Sequence, residues 1–188
     1  MSKKILYFAT SNEGKLKEAR EILVDFEVRG VEAQINEIQS LNEVEVAKQK
    51  AAEYFFTFGK PIFVEDLSLS FNYLRGLPGT YINDFLKVLG NEGLTRLIPK
   101  GQDRGAKATT AVVFCWSKDK YRVFKGVVKG NIAEFPRGRG GFGWDSIFIP
   151  EGEVKTFAEM NLVQKNRYSM RAIALKKFAS WLRNNQKC

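Results

Sequence analysis

The chain has no histidine, and that absence removes His-based triads, His-ligated zinc and imidazole general bases. Chemistry, if present, falls to carboxylates, lysines, hydroxyls or a hard metal ion. Cysteine is nearly as scarce. Cys115 lies in an apolar run and Cys188 at the last position, so there is no CxxC motif and no disulfide framework, which fits a reducing compartment. Also missing is any run approaching the roughly 18 to 20 consecutive apolar residues of a membrane span. The opening Met1-Ser2-Lys3-Lys4 and Ile5 to Ala9 hold no long apolar segment ending in a cleavage site. A soluble, cytoplasmic protein is expected. What is present is 188 residues, 44% hydrophobic and 13% aromatic, enough for one ordinary core and too few for two full domains. One domain over residues 1–188 is therefore expected.

The net charge of +9 is unevenly spread. Residues 1–94 carry 11 Lys and Arg against 14 Asp and Glu, whereas residues 95–188 carry 19 against 7. A basic half suggests an anionic partner such as nucleic acid, nucleotide or acidic lipid, and is equally what a well-solvated surface looks like.

Ile5 to Ala9 has strand length and meets Thr10-Ser11-Asn12 before Leu16, Ala19, Ile22 and Leu23 at helical spacing. A second helix is predicted over about 43–56, then a short strand at Ile62 to Val64 ending in Glu65 and Asp66. This β-α-α-β opening is the pattern of an α/β sheet whose loops gather at strand ends. Gly76 to Gly79 reads as a turn, Ile82 to Leu89 as a helix stopped by Gly90, and Ala108 to Trp116 with Tyr121 to Val128 as a hairpin. In Pro136 to Gly143, four of eight residues are glycine and two are arginine, so this is a linker or a loop that brings backbone close to a ligand. Ser169 caps a last helix reaching about Asn184, with Ile173, Leu175, Phe178, Trp181 and Leu182 on its apolar face.

Four clusters have the right residue types for chemistry. Thr10-Ser11-Asn12-Glu13-Gly14-Lys15 lies where a strand feeds a helix N-terminus, whose free amides, dipole and lysine suit a polyphosphate. It lacks the Walker A glycine and Gly-Lys-Ser/Thr ending, and it also reads as an N-cap beside a surface lysine. Glu65-Asp66, with Glu37 as companion, can hold Mg²⁺ through one or two oxygens or form a solvated turn. Gly140-Gly141-Phe142-Gly143-Trp144-Asp145 offers close backbone, flat aromatic faces and an acceptor for a purine edge, or a tight turn with its rings in the core. Lys165-Asn166 and Arg171 bring donors and positive charge near the last helix, for an anionic ligand or for solvent.

Together these pieces, with Val64-Glu65-Asp66, Gly76-Leu77-Pro78-Gly79, Thr156-Phe157-Ala158-Glu159-Met160 and Ser169-Met170-Arg171, resemble the inosine triphosphate pyrophosphatase (Ham1-like) family over nearly the whole chain. The resemblance implies a two-lobed α/β fold with a long central mixed sheet flanked by helices, a nucleotide cleft between the lobes, and a homodimer. It implies a hydrolase acting on acid anhydrides, cleaving ITP, dITP and XTP to the monophosphate and pyrophosphate with Mg²⁺. Matched by position, Thr10, Ser11, Asn12, Glu13, Gly14 and Lys15 would hold the triphosphate, with Lys48 adding a contact. Glu37 and Asp66 would bind the metal, and Asp66 would also position or deprotonate the attacking water. Phe142, Gly143, Trp144 and Asp145 would hold the base, and Lys165, Met170 and Arg171 would complete the purine and phosphate contacts.

Two departures bear on specificity. The family reads Ser-His-Arg where this chain has Ser169-Met170-Arg171, and methionine donates no hydrogen bond. Leu67-Ser68 replaces a small polar residue followed by glycine. Neither touches Glu37, Asp66 or Lys15, so hydrolysis is the firmer expectation. The alternatives are a triphosphate pyrophosphatase of broader base range and, in another class, a basic nucleic-acid-binding module. The resemblance implies no stable nucleic-acid partner.

Overall fold

The computed structural model describes residues 3–185, so Met1, Ser2 and Cys188 lie outside the described residues. Among the described residues, seven strands form one mixed sheet in the order β2-β1-β3-β5-β6-β7, with β4 pairing β3. In chain order the elements are β1 (Lys4–Ala9), α1 (Glu13–Ile22), β2 (Phe26–Val31), α2 (Glu43–Phe58), β3 (Ile62–Phe71), β4 (Pro78–Gly79) and α3 (Ile82–Arg96). β5 (Gly105–Ser117), β6 (Lys120–Ile132), β7 (Phe148–Pro150), a 3₁₀ turn (Phe157–Glu159), α4 (Leu162–Tyr168) and α5 (Met170–Asn184) complete the chain. β1 runs parallel to β2 and β3, whereas β6 and β7 are antiparallel. The α/β class expected from the sequence is what the chain forms. Among the described residues no helix is long and apolar enough to cross a membrane.

Contacts divide the chain into two compact units. One takes the chain up to Asp66, residues 110–126, and Arg171 onward; the other takes residues 67–109 and 127–170. In the first unit, strand alternation sorts side chains between two cores. Leu6, Phe8, Phe63, Val112 and Phe114 pack with Leu16 and Ala19 of α1 and with Leu175 and Phe178 of α5. Ile62, Val64, Ala111, Val113 and Cys115 pack with Ala47, Ala51 and Tyr54 of α2. Each fully buried phenylalanine here contributes about 1.5–3 kcal/mol. In the second unit, Leu67, Leu69, Phe71, Ala108, Ile132 and Phe148 meet Ile82 and Leu94 of α3, together with Phe157, Met160 and Met170. Arg104 ties this unit internally, donating to the carbonyls of Thr95, Ile98, Ile132 and Ala133.

Four elements differ from expectation. β3 does not end at Glu65-Asp66 but runs on to Phe71, because Leu67, Leu69 and Phe71 alternate with Ser68 and Ser70 and so continue the period of two. Gly90, with φ 65° and ψ 177°, stops the first helical stretch of α3 as expected, and a second stretch that was not expected follows to Arg96. β2 and α4 were not anticipated. α4 is opened by Asn161, whose side chain accepts from the Gln164 amide while Gln164 reaches back to the Asn161 amide, a reciprocal cap readable as Asn-x-x-Gln.

Candidate active site

In the first unit, β1 hands the chain to α1 through a turn built by its own side chains. Thr10 Oγ1 accepts from the Asn12 amide at 3.1 Å, and Asn12 Oδ1 accepts from the Lys15 amide at 3.1 Å, so Asn12 caps the helix. Ser11 is exposed and donates to Glu32 at 3.2 Å, while Glu13 is exposed in the first turn beside Gly14. Lys15 turns from this first turn toward β3, where its ammonium lies 3.0 Å from Glu65.

Glu65 and Asp66 are adjacent on β3 and therefore point to opposite faces. Glu65 follows Phe63 toward α1 and α5, where Arg171 grips it with two bonds of 2.7 and 2.8 Å. The remaining Arg171 arm donates to Glu18 of α1. Burial alone would raise the Glu65 pKa, but Arg171 and Lys15 outweigh it and hold this carboxyl far below the usual range. Burial likewise disfavours the Arg171 charge, and Glu65 with Glu18 more than restores it. Arg171 is 2% exposed: the structure places it in a buried network of two acids and two bases, with each guanidinium nitrogen on a carboxylate.

Asp66 follows Ile62 and Val64 toward α2. Its side chain is 15% exposed; Oδ1 lies 3.8 Å from the Lys50 ammonium, and Oδ2 is buried without a hydrogen-bond partner. Burial, reinforced by the charges of Glu37 and Glu65 and only partly offset by Lys50 and Lys15, pushes Asp66 up to about 7. Lys50 also pairs with Glu37 at 2.9 Å, which brings Glu37 and Asp66 to one ammonium. Lys48, two residues earlier on α2, instead lies over the Tyr121 ring at 5.2 Å. Lys50 is the residue that sequence reading passed over.

These residues fit a hard divalent cation. Lys50 already marks the space between Glu37 and Asp66 as one that takes positive charge, and the bare Asp66 Oδ2 lacks a donor. Among the described residues no group of three or more His, Cys, Asp or Glu is arranged for a metal. The donor set is thus the sparse kind that Mg²⁺ tolerates, one or two carboxylates with phosphate and water completing its shell.

In the second unit, the glycine loop and α4 build another cluster. Lys165, 3% exposed, places its ammonium 2.6 Å from Asp145 Oδ2, which also accepts the Phe142 amide at 2.8 Å. The ammonium lies 4.7 Å from the Phe142 ring centre and 5.5 Å from that of Phe157. Phe142 is half-buried, whereas Trp144 is buried edge-to-face on Phe148. Gly143 gives its carbonyl to Asn91 at 2.9 Å. Met170 is buried in this unit's core. Phe142, Asp145 and Lys165 are thus brought together, while Trp144 and Met170 join the packing.

The Ham1 family model matches residues 6–181. The chain belongs to the Ham1 family. It is 41% identical over 180 residues to the dITP/XTP pyrophosphatase of Methanopyrus kandleri, covering 95% of this chain and 96% of that one. It is 40% identical over 179 residues to the inosine triphosphate pyrophosphatase of Yarrowia lipolytica, covering 93% and 94%. Among solved structures, the HAM1 protein of Coxiella burnetii is similar with a TM-score of 0.85 and 26% identity, covering 96% of this chain and 99% of that one.

Proposed function

We propose that this Ham1-family chain hydrolyses purine nucleoside triphosphates carrying a 6-oxo base (ITP, dITP, XTP) to the monophosphate and pyrophosphate. The observation that carries the reading is Asp66, a carboxylate with one bare buried oxygen and an affinity for protons near neutrality, next to two lysines. Such a group accepts a proton at working pH. The Thr10 to Lys15 turn receives the triphosphate on helix amides and the Lys15 ammonium, and Lys50 adds positive charge beside Asp66. When Lys15 turns to the substrate, Glu65 keeps both Arg171 bonds and is not left bare.

Asp66 orients a water molecule and takes its proton as the water oxygen bonds to the α-phosphorus. The bond from that phosphorus to the bridging oxygen breaks, and pyrophosphate leaves with the electron pair. Mg²⁺, held by Glu37 and Asp66, would supply charge neutralisation on the phosphate oxygens. Positioning and charge are what this reaction needs from a protein, and a chain without histidine supplies both. At the base end, Phe142 offers a ring face, and Lys165, fixed by Asp145, offers donors to a 6-oxo group. Adenine presents an amino group there and would leave those donors unpaired.

A broader base range is the second reading, favoured by Met170, a buried side chain without a donor. The basic second half does not call for nucleic acid in this reading, since Arg104, Lys125, Lys165 and Arg171 are all engaged internally. The family resemblance extends the proposal to a cytoplasmic homodimer. The deciding experiment compares kcat/KM for ITP, XTP, GTP and ATP by pyrophosphate release with Mg²⁺. ITP and XTP are expected to lead. Guanine shares the 6-oxo group, so it is equal rates for ATP that would move the assignment to the broader reading, and no pyrophosphate from any of the four would refute it.

A further inference from the structure

The Thr156-Phe157-Ala158-Glu159 turn lies outside every role assigned above, yet it touches the glycine loop at several points. Before the loop, Thr156 Oγ1 donates to the Arg137 carbonyl at 2.9 Å, and the Arg137 guanidinium lies 3.6 Å from Glu159. Inside it, the Gly140 amide donates to the Ala158 carbonyl at 3.0 Å. At its far end, the Ala158 amide donates to the Asp145 carbonyl at 3.0 Å. Phe157 stands against the Lys165 ammonium. The turn is fixed in its own right by Glu159, whose carboxylate accepts the Thr156 amide at 2.8 Å.

The approach is so close that side chains are excluded from it. A Cβ at Gly138 would stand 2.5 Å from the Ala158 carbonyl carbon and 2.7 Å from the Glu159 nitrogen. A segment with glycines at 138, 140, 141 and 143 has more backbone freedom than any other kind of loop, and ordering it during binding costs affinity. Anchors before, inside and at the end of the loop remove that freedom before a ligand arrives.

We infer that the Thr156–Glu159 turn is a template that pre-sets the Phe142–Asp145 platform, with Thr156 and Glu159 as positioning residues for purine binding. The inference rests on the base-side reading of Phe142, Asp145 and Lys165. It predicts a selective defect: weaker grip on the nucleoside, with an unaltered grip on the phosphate chain, because none of these contacts reaches Lys15, Lys50 or Asp66.

Three variants test it: Thr156→Val, which removes only the hydroxyl; Glu159→Ala, at an exposed position, which keeps the test alive if the first does not fold; and Glu159→Gln, which retains an oxygen for the Thr156 amide. ITP turnover and inhibition by inorganic tripolyphosphate are measured on each folded protein. KM for ITP should rise about tenfold in Thr156→Val and Glu159→Ala, while kcat and the tripolyphosphate inhibition constant stay within about twofold. Glu159→Gln should restore KM to near the parent value. An unchanged KM in the folded variants, or a parallel rise in KM and the tripolyphosphate constant, overturns the inference. Phe142→Ala and Asp145→Asn form the control arm. If both leave KM for ITP unchanged, the base-side reading itself falls, whatever the turn variants do.

Discussion

Both units set a lysine against a buried carboxylate, Lys15 on Glu65 at 3.0 Å in the first and Lys165 on Asp145 at 2.6 Å in the second, and the surroundings make different instruments of the two pairs. Asp145 also holds a backbone amide, in a loop pinned to its supporting turn. Glu65 is similarly saturated by Arg171, but its neighbour Asp66 is buried with an oxygen that nothing donates to. A buried acid surrounded by donors is an anchor, whereas one deprived of them keeps its appetite for a proton. In the proposed reading, hydrogen-bond accounting is what separates the recognition pair from the reactive acid.

The largest expected effect breaks that contrast directly. Asp66→Asn should lower kcat for ITP by roughly 10²–10⁴-fold with the fold intact, while Asp145→Asn acts mainly on KM; equal losses of kcat from both would erase the distinction. Next comes stability. Arg171→Met strands Glu65 and Glu18 together and should cost about 3–5 kcal/mol in denaturant unfolding; a loss under about 1 kcal/mol would mean the network is not a structural anchor. Lys50→Met should raise KM for ITP about tenfold or more, and Lys48→Met less than about twofold, as suits a charge-assisted contact against a surface cation over a ring; the reverse ranking would put the phosphate on the other flank of α2.

The smallest effect is a pH signature. Because Asp66 is pushed up to about 7 from an ordinary value of 3.8, the native state holds a proton that the unfolded chain has released between those limits. The stabilisation is therefore complete below about pH 4 and lost as pH rises through about 7. With a chelator present, Asp66→Asn should match the parent Tm at pH 4 and exceed it at pH 8. A constant offset across the range would return Asp66 to an ordinary carboxylate.

Much of the fold was legible because its signals are local. Ile5 to Ala9, a helix cap in the Thr10-Ser11-Asn12 turn and the last helix to about Asn184 are read from neighbouring residues, and β1, a cap on Asn12 and α5 stand there. Sequence order likewise singled out Asp66 and Lys15 as candidates. What was hidden depends on distant partners. Glu18 and Glu65 meet Arg171 across 153 and 106 positions, and no local pattern announces such a pairing. Lys48 and Lys50 lie on opposite flanks of the Ala47, Ala51 and Tyr54 stripe, and only the placement of β3 decides which flank meets a carboxylate. The overrun of β3 was readable from its alternation, but the two acids outweighed Leu67, Leu69 and Phe71 in setting its end.

That overrun has a consequence for how sequence change can reach this protein. Glu65 and Asp66 owe their opposite fates to parity along a single pleat, so inserting or deleting one residue ahead of Val64 would swap them. The anchor would then face α2 and the proton acceptor would face the arginine. In the proposed mechanism such an insertion would silence the chemistry while sparing every side chain, which makes the phase of β3, more than the identity of any one acid, the quantity to guard.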